Sequence, residues 1–250
     1  MRKRGKPLTE TALHDNGTAP LSMKNPMVPR IAPFVLFMIF IGVEELARTL
    51  GNKGLIAISA QSLCYLYPVK TVSVAFVLYL FRNSYPEIEL RRLLSLRHLA
   101  VSLLCGITVF VLWINMDFTL HPGRASGGFN PLLFQNQALR GMMIFTRLAG
   151  AVLVVPVMEE LFWRSFFLRY IVDQNFAKVA IGTFTWPSFL IVTLLFGLEH
   201  DLFYAGIMAG AAYNLLLYYT RSISHCILAH ALTNLLLGMY VLATHKWYFW

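Results

Sequence analysis

Two adjacent carboxylates lie inside one of the most apolar stretches of this chain. Residues 151–170 read AVLVVPVMEELFWRSFFLRY, with Glu159 and Glu160 at the end of an apolar run and Arg164 four positions after the second carboxylate. Ionised side chains are costly in such surroundings, and where they occur they usually have a function. The alternative is that the two carboxylates mark the hydrated end of a membrane helix.

The spacing of these charges predicts different partners for the two carboxylates. On a helix, Glu160 and Arg164 stand at i and i+4, where the side chains face one another and form an ion pair. Glu159 is rotated from Glu160 by about 100°, because an α-helix turns once every 3.6 residues. We therefore expect Arg164 to hold one carboxylate while Glu159 points into a partly dry cavity, where a carboxylate is a competent general base.

Two later apolar segments each contribute a histidine with a partner on the same helical face. The segment LLFGLEHD places Phe196 and His200 at i and i+4, and the segment AHALTN places His230 and Asn234 at the same spacing. A lone intramembrane histidine more often bonds to a neighbouring helix. Two histidines with a Glu and an Asn instead supply a base, a group that polarises water and donors for a developing oxyanion, which an amide hydrolase needs.

A hairpin count predicts that these groups meet. The segments that carry Glu159 and His200 are joined by a polar turn centred near residue 179, and position 159 then lies opposite a position close to 199. Two antiparallel helices would thus set Glu159 beside His200. His230 is seven residues into its own span, which corresponds to about 10 Å at the α-helical rise per residue.

The composition requires a membrane around this site. Of the 250 residues, 57% are hydrophobic and 13% are charged, and a soluble domain cannot bury so much apolar surface with so few charges. We predict an all-α fold, a polytopic transmembrane helical bundle with about seven spans and a range of six to eight. The expected spans are 31–50, 55–81, 99–116, 141–170, 184–200, 202–219 and 223–244.

The chain is expected to consist of a tail and one domain. Residues 1–30 are basic and rich in Pro, Gly and polar residues, which is typical of a disordered tail rather than a cleaved signal. Residues 31–250 form a single transmembrane domain, with the catalytic motifs in 150–240. Pro68 should kink or break the second span. The Gly/Pro-rich connection at 117–139 is predicted to be a loop.

A second acidic pair is expected to be structural. Glu44 and Glu45 are followed by Arg48, but they stand at the end of the first span, where water is available and charges cost little. An interfacial or structural role is therefore favoured over a catalytic one.

Small residues predict a close contact in the sixth span. Gly206 and Gly210 form a small-x-x-x-small face, which packs a helix tightly against its neighbours. Asn214 continues this face. For Asn214 the alternative is a position that lines the site.

The basic residues predict an integral, multi-pass protein with a cytoplasmic N-terminus. With seven crossings, fourteen Lys and Arg residues fall on the N-terminal side and five on the other, while Lys70 and Arg147 lie within spans. In a bacterium this membrane would be the inner membrane. Because most of the net charge of +9 serves topology, we expect the lipid bilayer as a partner and no nucleic acid.

The motifs together resemble a known family, the CPBP (CaaX protease and bacteriocin-processing, or Abi) family of intramembrane proteases. To this family belongs the prenyl-protein protease that removes the last three residues of CaaX proteins. The likeness covers residues 150–240. The length and the opening span with its VEELAR also resemble the bacterial subgroup found beside exosortase sorting systems. The motifs that carry the resemblance are, in order, Glu159-Glu160-x-x-x-Arg164, Phe196-x-x-x-His200 and His230-x-x-x-Asn234.

The resemblance implies an intramembrane endopeptidase that hydrolyses a peptide bond of a membrane-anchored or lipid-modified protein or peptide. It implies a base that activates water, a histidine that assists it, and two donors that stabilise the oxyanion. In this order the catalytic residues are Glu159, His200, His230 and Asn234. The supporting residues are Glu160, Arg164 and Phe196.

Zinc is the alternative to metal-free chemistry. The family is often labelled a metalloprotease, and His200, His230 and Glu159 could together make a zinc site. This chain has no H-E-x-x-H motif. We therefore expect no cofactor, with water activated directly by Glu and His.

Two other classes of function fit the same residues. In a proton-coupled membrane transporter, intramembrane Glu and His form a proton relay, but the inverted repeats common in transporters are not evident in this sequence. A non-catalytic membrane chaperone or immunity protein would keep the fold and the residues without turnover. The resemblance favours the protease.

Overall fold

Seven helices joined by short 3₁₀ turns and loops, with no β-strand, make up residues 25–116 and 128–250, which the computed structural model describes. The prediction of an all-α bundle is confirmed. Residues 1–24 of the predicted tail and 117–127 of the predicted loop lie outside the described residues. The helices are α1 (Val28–Asn52), α2 (Ala60–Leu80), α3 (Leu96–Asn115), α4 (Gln137–Val172), α5 (Trp186–Leu198), α6 (Phe203–Thr220) and α7 (Ile223–Thr244).

Four of these helices, α2, α3, α4 and α7, are long and apolar enough to cross a membrane. Large apolar side chains cover outer faces of the bundle, and Val72, Leu104 and Phe145 are each more than half exposed. Contiguous apolar surface of this kind is rare on soluble monomers but suits contact with lipid. The chain is an integral membrane protein, and the cytoplasmic position of its N-terminus stays a prediction.

The α2 helix is broken near Pro68, as predicted. Its α-helical pieces are Ala60–Cys64 and Leu66–Leu80, with Tyr65 between them. Proline has no N–H for the carbonyl four residues before it, and its ring crowds that carbonyl. The break therefore falls just before Pro68, and α2 begins five residues after the predicted start of the span.

The α4 helix carries the acidic pair and contains two π-helical segments. It extends over 36 residues, which is longer than one straight crossing needs. The segments Gly150–Val154 and Leu161–Phe167 have π geometry, and the α-helical turn Val155–Glu160 lies between them. Helices of the π type are rare and frequently occur at functional sites. The sequence pattern did not predict them.

Glycines allow α5 and α6 to touch. A Cβ atom on Gly206 would lie 2.9 Å from Gly197 Cα, and one on Gly210 would lie 3.2 Å from Phe196 Cβ. Larger residues would push the two backbones apart. The predicted close contact of the sixth span is confirmed, and it holds the end of α5, with Phe196 in its last turn and His200 just after it, against α6.

The buried core surrounds the middle of α4. Helix α7 packs along α3, and α6 packs against both α5 and α3. The acidic turn of α4 therefore faces the interior of the bundle. Core side chains come from all seven helices and include Phe34, Val74, Val109, Met158, Trp163, Val192, Phe196, Tyr213, Cys226 and Ala229.

Candidate active site

The acidic turn of α4 buries three charged side chains. Glu159 is 4% exposed, and Glu160 and Arg164 are fully buried. A buried charge is strongly destabilising unless other groups replace the water that it loses. The partners of these three side chains therefore define the site.

Glu160 joins Arg164 to His230. Its Oε1 accepts hydrogen bonds from Arg164 Nη1 at 3.2 Å and from His230 Nδ1 at 3.0 Å. The expected ion pair at i and i+4 is thus present. Because a carboxylate only accepts hydrogen bonds, the proton of the neutral His230 ring is assigned to Nδ1, and Nε2 is left as an acceptor.

Glu159 faces the other nitrogen of the same ring. Its Oε2 lies 3.9 Å from His230 Nε2 and has no hydrogen-bond partner in the described part of the chain. Arg164 pairs with Glu160, as the spacing predicted, yet both carboxylates contact His230. Glu159 and Glu160 point in different directions from the helix. The two ring nitrogens of His230 also point in different directions, so one ring contacts both carboxylates.

Arg164 is fixed by polar groups of α6. Its Nε donates to Asn214 Oδ1 at 3.2 Å and its Nη2 to the carbonyl oxygen of Gly210 at 3.4 Å. The Asn214 amide in turn donates to Thr193 Oγ1 on α5 at 3.1 Å. Asn214 is fully buried and lines the site, which was the alternative prediction for it. Its contact with Arg164 keeps the cation in place for Glu160.

Aromatic rings enclose the charged groups. The guanidinium carbon of Arg164 lies 4.4 Å from the centre of the Phe196 ring, which is a cation–π contact. Tyr213 stacks on His230 with ring centres 5.0 Å apart, and its hydroxyl donates to Thr233 Oγ1 at 2.8 Å. Sequence reasoning missed Tyr213 and Thr233. The available signal was their polar atoms inside apolar spans, where such atoms need partners.

His200 lies beside Phe196. Its Nδ1 is 2.7 Å from the carbonyl oxygen of Phe196, and its ring packs on the Phe196 and Trp113 rings. The Phe196 ring also lies 6.4 Å from the His230 ring, so it stands between the two histidines. Among the described residues, no hydrogen bond or ion pair joins His200 to Glu159.

The α4–α5 hairpin makes its polar contact one turn away from the predicted position. Trp163 Nε1 donates to Glu199 Oε2 at 2.9 Å. The indole is long enough to reach the end of α5, whereas Glu159 points towards α7. The hairpin count thus brought the correct helices together, and the side-chain hydrogen bond between them is made by Trp163, one turn after Glu159.

Asn234 lies one turn beyond His230 on α7, as its spacing predicted. Its Nδ2 donates to the carbonyl oxygen of Ala151 at 2.8 Å, within the first π segment of α4. An amide nitrogen carries two hydrogens, so a second donor remains for another acceptor. Asn234 is half-buried and lies closer to solvent than Glu160 does.

The second acidic pair lies near one end of α1. Arg48 Nη2 is 3.0 Å from Glu44 Oε1, and Arg48 Nε is 4.0 Å from Glu45 Oε2. The side chains of Glu44 and Glu45 are 29% and 49% exposed. This geometry agrees with the structural role that the sequence favoured.

The residues named for zinc are not grouped as metal ligands in the part of the chain that the structure describes. Within residues 25–116 and 128–250, no group of three or more His, Cys, Asp or Glu side chains comes together as metal ligands do. His230 has a carboxylate at each ring nitrogen, and Nδ1 of His200 contacts a carbonyl oxygen. The expectation of no cofactor stays a prediction, and no step is assigned to a metal.

The comparison with protein families covers the whole cluster. Residues 141–236 match the family model described as type II CAAX prenyl endopeptidase Rce1-like. This range includes every residue of the site, from Glu159 to Asn234. This segment is therefore similar to the Rce1-like family. No curated protein and no solved structure matches the chain.

The Rce1-like match confirms the resemblance to the CaaX protease family. The match supports an intramembrane protease in kind. That family acts on membrane-associated prenylated proteins. Membership of the exosortase-associated subgroup stays a prediction.

Proposed function

We propose that this protein is an intramembrane endopeptidase in which Glu159 and His230 activate water. The Rce1-like match supports the class of reaction. The observation that carries the mechanism is the separation of 3.9 Å between Glu159 Oε2 and His230 Nε2. Both atoms are acceptors, and the carboxylate oxygen is buried with no hydrogen-bond partner among the described residues.

Two facing acceptors at this distance suit one bridging water. In a hydrogen bond the water oxygen lies about 2.8 Å from its acceptor. Because the two O–H bonds of water diverge, two acceptors that share one water lie roughly 4 Å apart. Such a water keeps its lone pairs free. The oxygen can then attack the carbonyl carbon of a peptide bond placed above it.

The charge of the cluster favours proton uptake by Glu159. Glu159, Glu160 and Arg164 together carry one excess negative charge in a buried site. When water attacks, its oxygen bonds to the carbonyl carbon and its proton passes to Glu159. The C–N bond then breaks, and the same proton leaves with the amine. Glu160 and Arg164 hold His230 in the tautomer that keeps Nε2 an acceptor.

Asn234 and His200 serve different parts of the reaction. The second N–H of the Asn234 amide is free to donate to the oxyanion, which is the role that the resemblance implies. The Nδ1 proton of His200 is directed to the Phe196 carbonyl, so Nε2 of the neutral ring accepts a hydrogen bond. We assign to His200 the orientation of the water or the leaving amide. We assign to His230 the second hydrogen bond to the water, beside Glu159.

The substrate class follows from the membrane setting. A groove of about 470 Å³ lies between α3 and α6. Its lining is apolar, as suits a lipid chain, and consists of Val101, Leu104, Cys105, Thr108, Val109, Leu112, Met208, Ala211, Ala212 and Leu215. We therefore propose a membrane-anchored or lipid-modified protein or peptide as the substrate.

A peptide assay tests this function. Purified protein in nanodiscs is incubated with a farnesylated peptide that ends in Cys, two aliphatic residues and a terminal residue, and the released tripeptide is quantified by mass spectrometry. We expect release by the wild-type protein and none by Glu159→Gln. The same peptide without the farnesyl group should be cleaved more slowly.

Two results would overturn the proposal. One is equal release by wild-type protein and Glu159→Gln, which would show that the tripeptide comes from a contaminating peptidase. The other is failure of the folded wild-type protein to cleave either peptide or a panel of lipidated membrane peptides with varied ends.

A further inference from the structure

A second buried polar cluster lies on α4, next to the active-site cluster. It consists of Arg30, Glu87, Ser165 and Arg169 and is called the Ser165 cluster below. Each of the four residues is at most 8% exposed. The water-activation mechanism uses none of them.

Ser165 is the centre of this cluster. Arg30 Nε donates to Glu87 Oε1 at 2.8 Å and Arg30 Nη2 to Glu87 Oε2 at 2.7 Å, which forms a two-pronged ion pair. The Ser165 hydroxyl donates to the same carboxylate and accepts from Arg30 Nε at 3.1 Å and from Arg169 Nη2 at 3.0 Å. The donor and acceptor capacity of this hydroxyl is therefore fully used.

The cluster ties three separate segments to one point of α4. Arg30 belongs to the first turn of α1, and Glu87 lies in the connection between α2 and α3. The guanidinium groups also donate to backbone carbonyl oxygens outside α4, and the Phe176 ring lies within 5.5 Å of both. Those carbonyl groups belong to Pro26, Ser84 and Val179.

The Ser165 cluster is attached to the π-helical segment that carries Arg164. Ser165 follows Arg164 directly, and both lie in Leu161–Phe167. Arg169 Nε donates to the backbone carbonyl oxygen of Ser165, so the cluster holds the main chain of the segment as well as a side chain. The register of this segment sets the direction in which Arg164 meets Asn214 on α6, since each residue of register is about 100° of rotation.

We propose that the Ser165 cluster positions the active site by holding the π segment in the register where Arg164, paired with Glu160, meets Asn214 and Gly210 on α6. The inference rests on the proposed function of Glu159 and His230. In this view Arg30, Glu87, Ser165 and Arg169 are positioning residues that act through Arg164. Their loss should affect turnover more than substrate binding, because misplacement of about 1 Å can lower a rate by about 10²-fold.

The test compares two buried serines. Ser165→Ala removes the central hydroxyl of the cluster. Ser102→Ala is the matched control, because Ser102 is also fully buried and its hydroxyl contacts His225 Nδ1 at 2.9 Å, away from α4. With the farnesylated peptide, Ser165→Ala should lower kcat by about 10- to 100-fold with KM within twofold, and Ser102→Ala should leave kcat within twofold.

A milder variant and a second measurement complete the experiment. Glu87→Gln keeps the volume of the side chain, and its effect on kcat should not add to that of Ser165→Ala, since both act on one network. Hydrogen exchange followed by mass spectrometry should show faster exchange at 161–167 in Ser165→Ala, with α7 unchanged. Equal losses of kcat in Ser165→Ala and Ser102→Ala, or unchanged exchange at 161–167, would overturn the positioning role. If Ser165→Ala exchanges faster at 161–167 but the wild-type protein cleaves no peptide, the structural role of the Ser165 cluster stands and the proposed function is rejected.

Discussion

The two acidic pairs of this chain show how packing gives similar sequences different surroundings. Glu44-Glu45 with Arg48 and Glu159-Glu160 with Arg164 contain the same residue types at nearly the same spacing. At the first pair, one half-exposed arginine contacts both carboxylates. The pair on α4 is buried in the core, where Arg164 forms its ion pair with Glu160.

The difference comes from what surrounds each arginine. Arg164 donates to Glu160 and, through its other nitrogens, to Asn214 and Gly210, and among the described residues its ion pair is with Glu160. That carboxylate is left with an unsatisfied oxygen that faces His230. Glu159 therefore differs from Glu44 because groups of α6 hold Arg164 beside Glu160, which the local sequence does not state.

The largest contrast is expected in turnover. Glu159→Gln should lower kcat for the farnesylated peptide by about 10²–10⁴-fold, because the amide cannot take a proton from water. Glu44→Gln should stay within twofold, because the ion pairs of Glu44 among the described residues are with Arg48 and Lys70, away from the site. Similar losses in both variants, with both proteins folded, would mean that the site extends to α1.

Loss of an oxyanion donor should come next. Asn234→Ala should lower kcat by about 10²–10³-fold and KM little, since such a donor acts mainly in the transition state. Asn115→Ala is a matched control, because its exposed amide also donates to a backbone carbonyl, that of Val111, at 2.7 Å. A change in KM alone for Asn234→Ala would assign that residue to substrate binding.

The two arginines should differ in stability. Arg164→Ala leaves Glu160 buried without its cation and should reduce the free energy of unfolding by about 3–5 kcal/mol. Arg48→Ala removes a partly exposed pair worth about 0–1 kcal/mol. Denaturation in mild detergent, followed by tryptophan fluorescence, gives both values. Equal losses would contradict the sealed setting of the α4 pair.

The smallest effect is expected from metal removal. If protein groups alone activate water, exhaustive treatment with a zinc chelator should leave kcat within twofold. A catalytic zinc would instead give an inactive apo-protein that recovers when metal is added. Bound zinc near one per chain, lost and regained together with activity, would refute the metal-free mechanism and leave the same residues in changed roles.

Much of the fold was predictable because lipid imposes simple rules. Apolar runs of span length predicted the helices, and Pro68 predicted the break in α2. The spacing of Glu160 and Arg164 predicted their ion pair. These features depend on neighbours in the sequence and on the cost of polar groups in a membrane.

The rest depends on contacts between distant segments. The choice between α and π geometry in α4, and the position of Glu159 on His230, are set by the packing of other helices. The Lys and Arg count also treated Arg30, Arg164 and Arg169 as topogenic charges. All three are buried in polar clusters, and eleven of the fourteen counted charges remain to support the predicted orientation.

The direction of the acidic turn of α4 depends on the number of residues in the helix as well as on their types. Substitutions on its lipid-facing side leave the rotation of the acidic turn unaltered. Deletion of a single residue between 161 and 167 would rotate everything beyond it by about 100° relative to Glu159. Loss of one codon there would therefore rotate the C-terminal part of α4 relative to the part that carries Glu159 and Glu160.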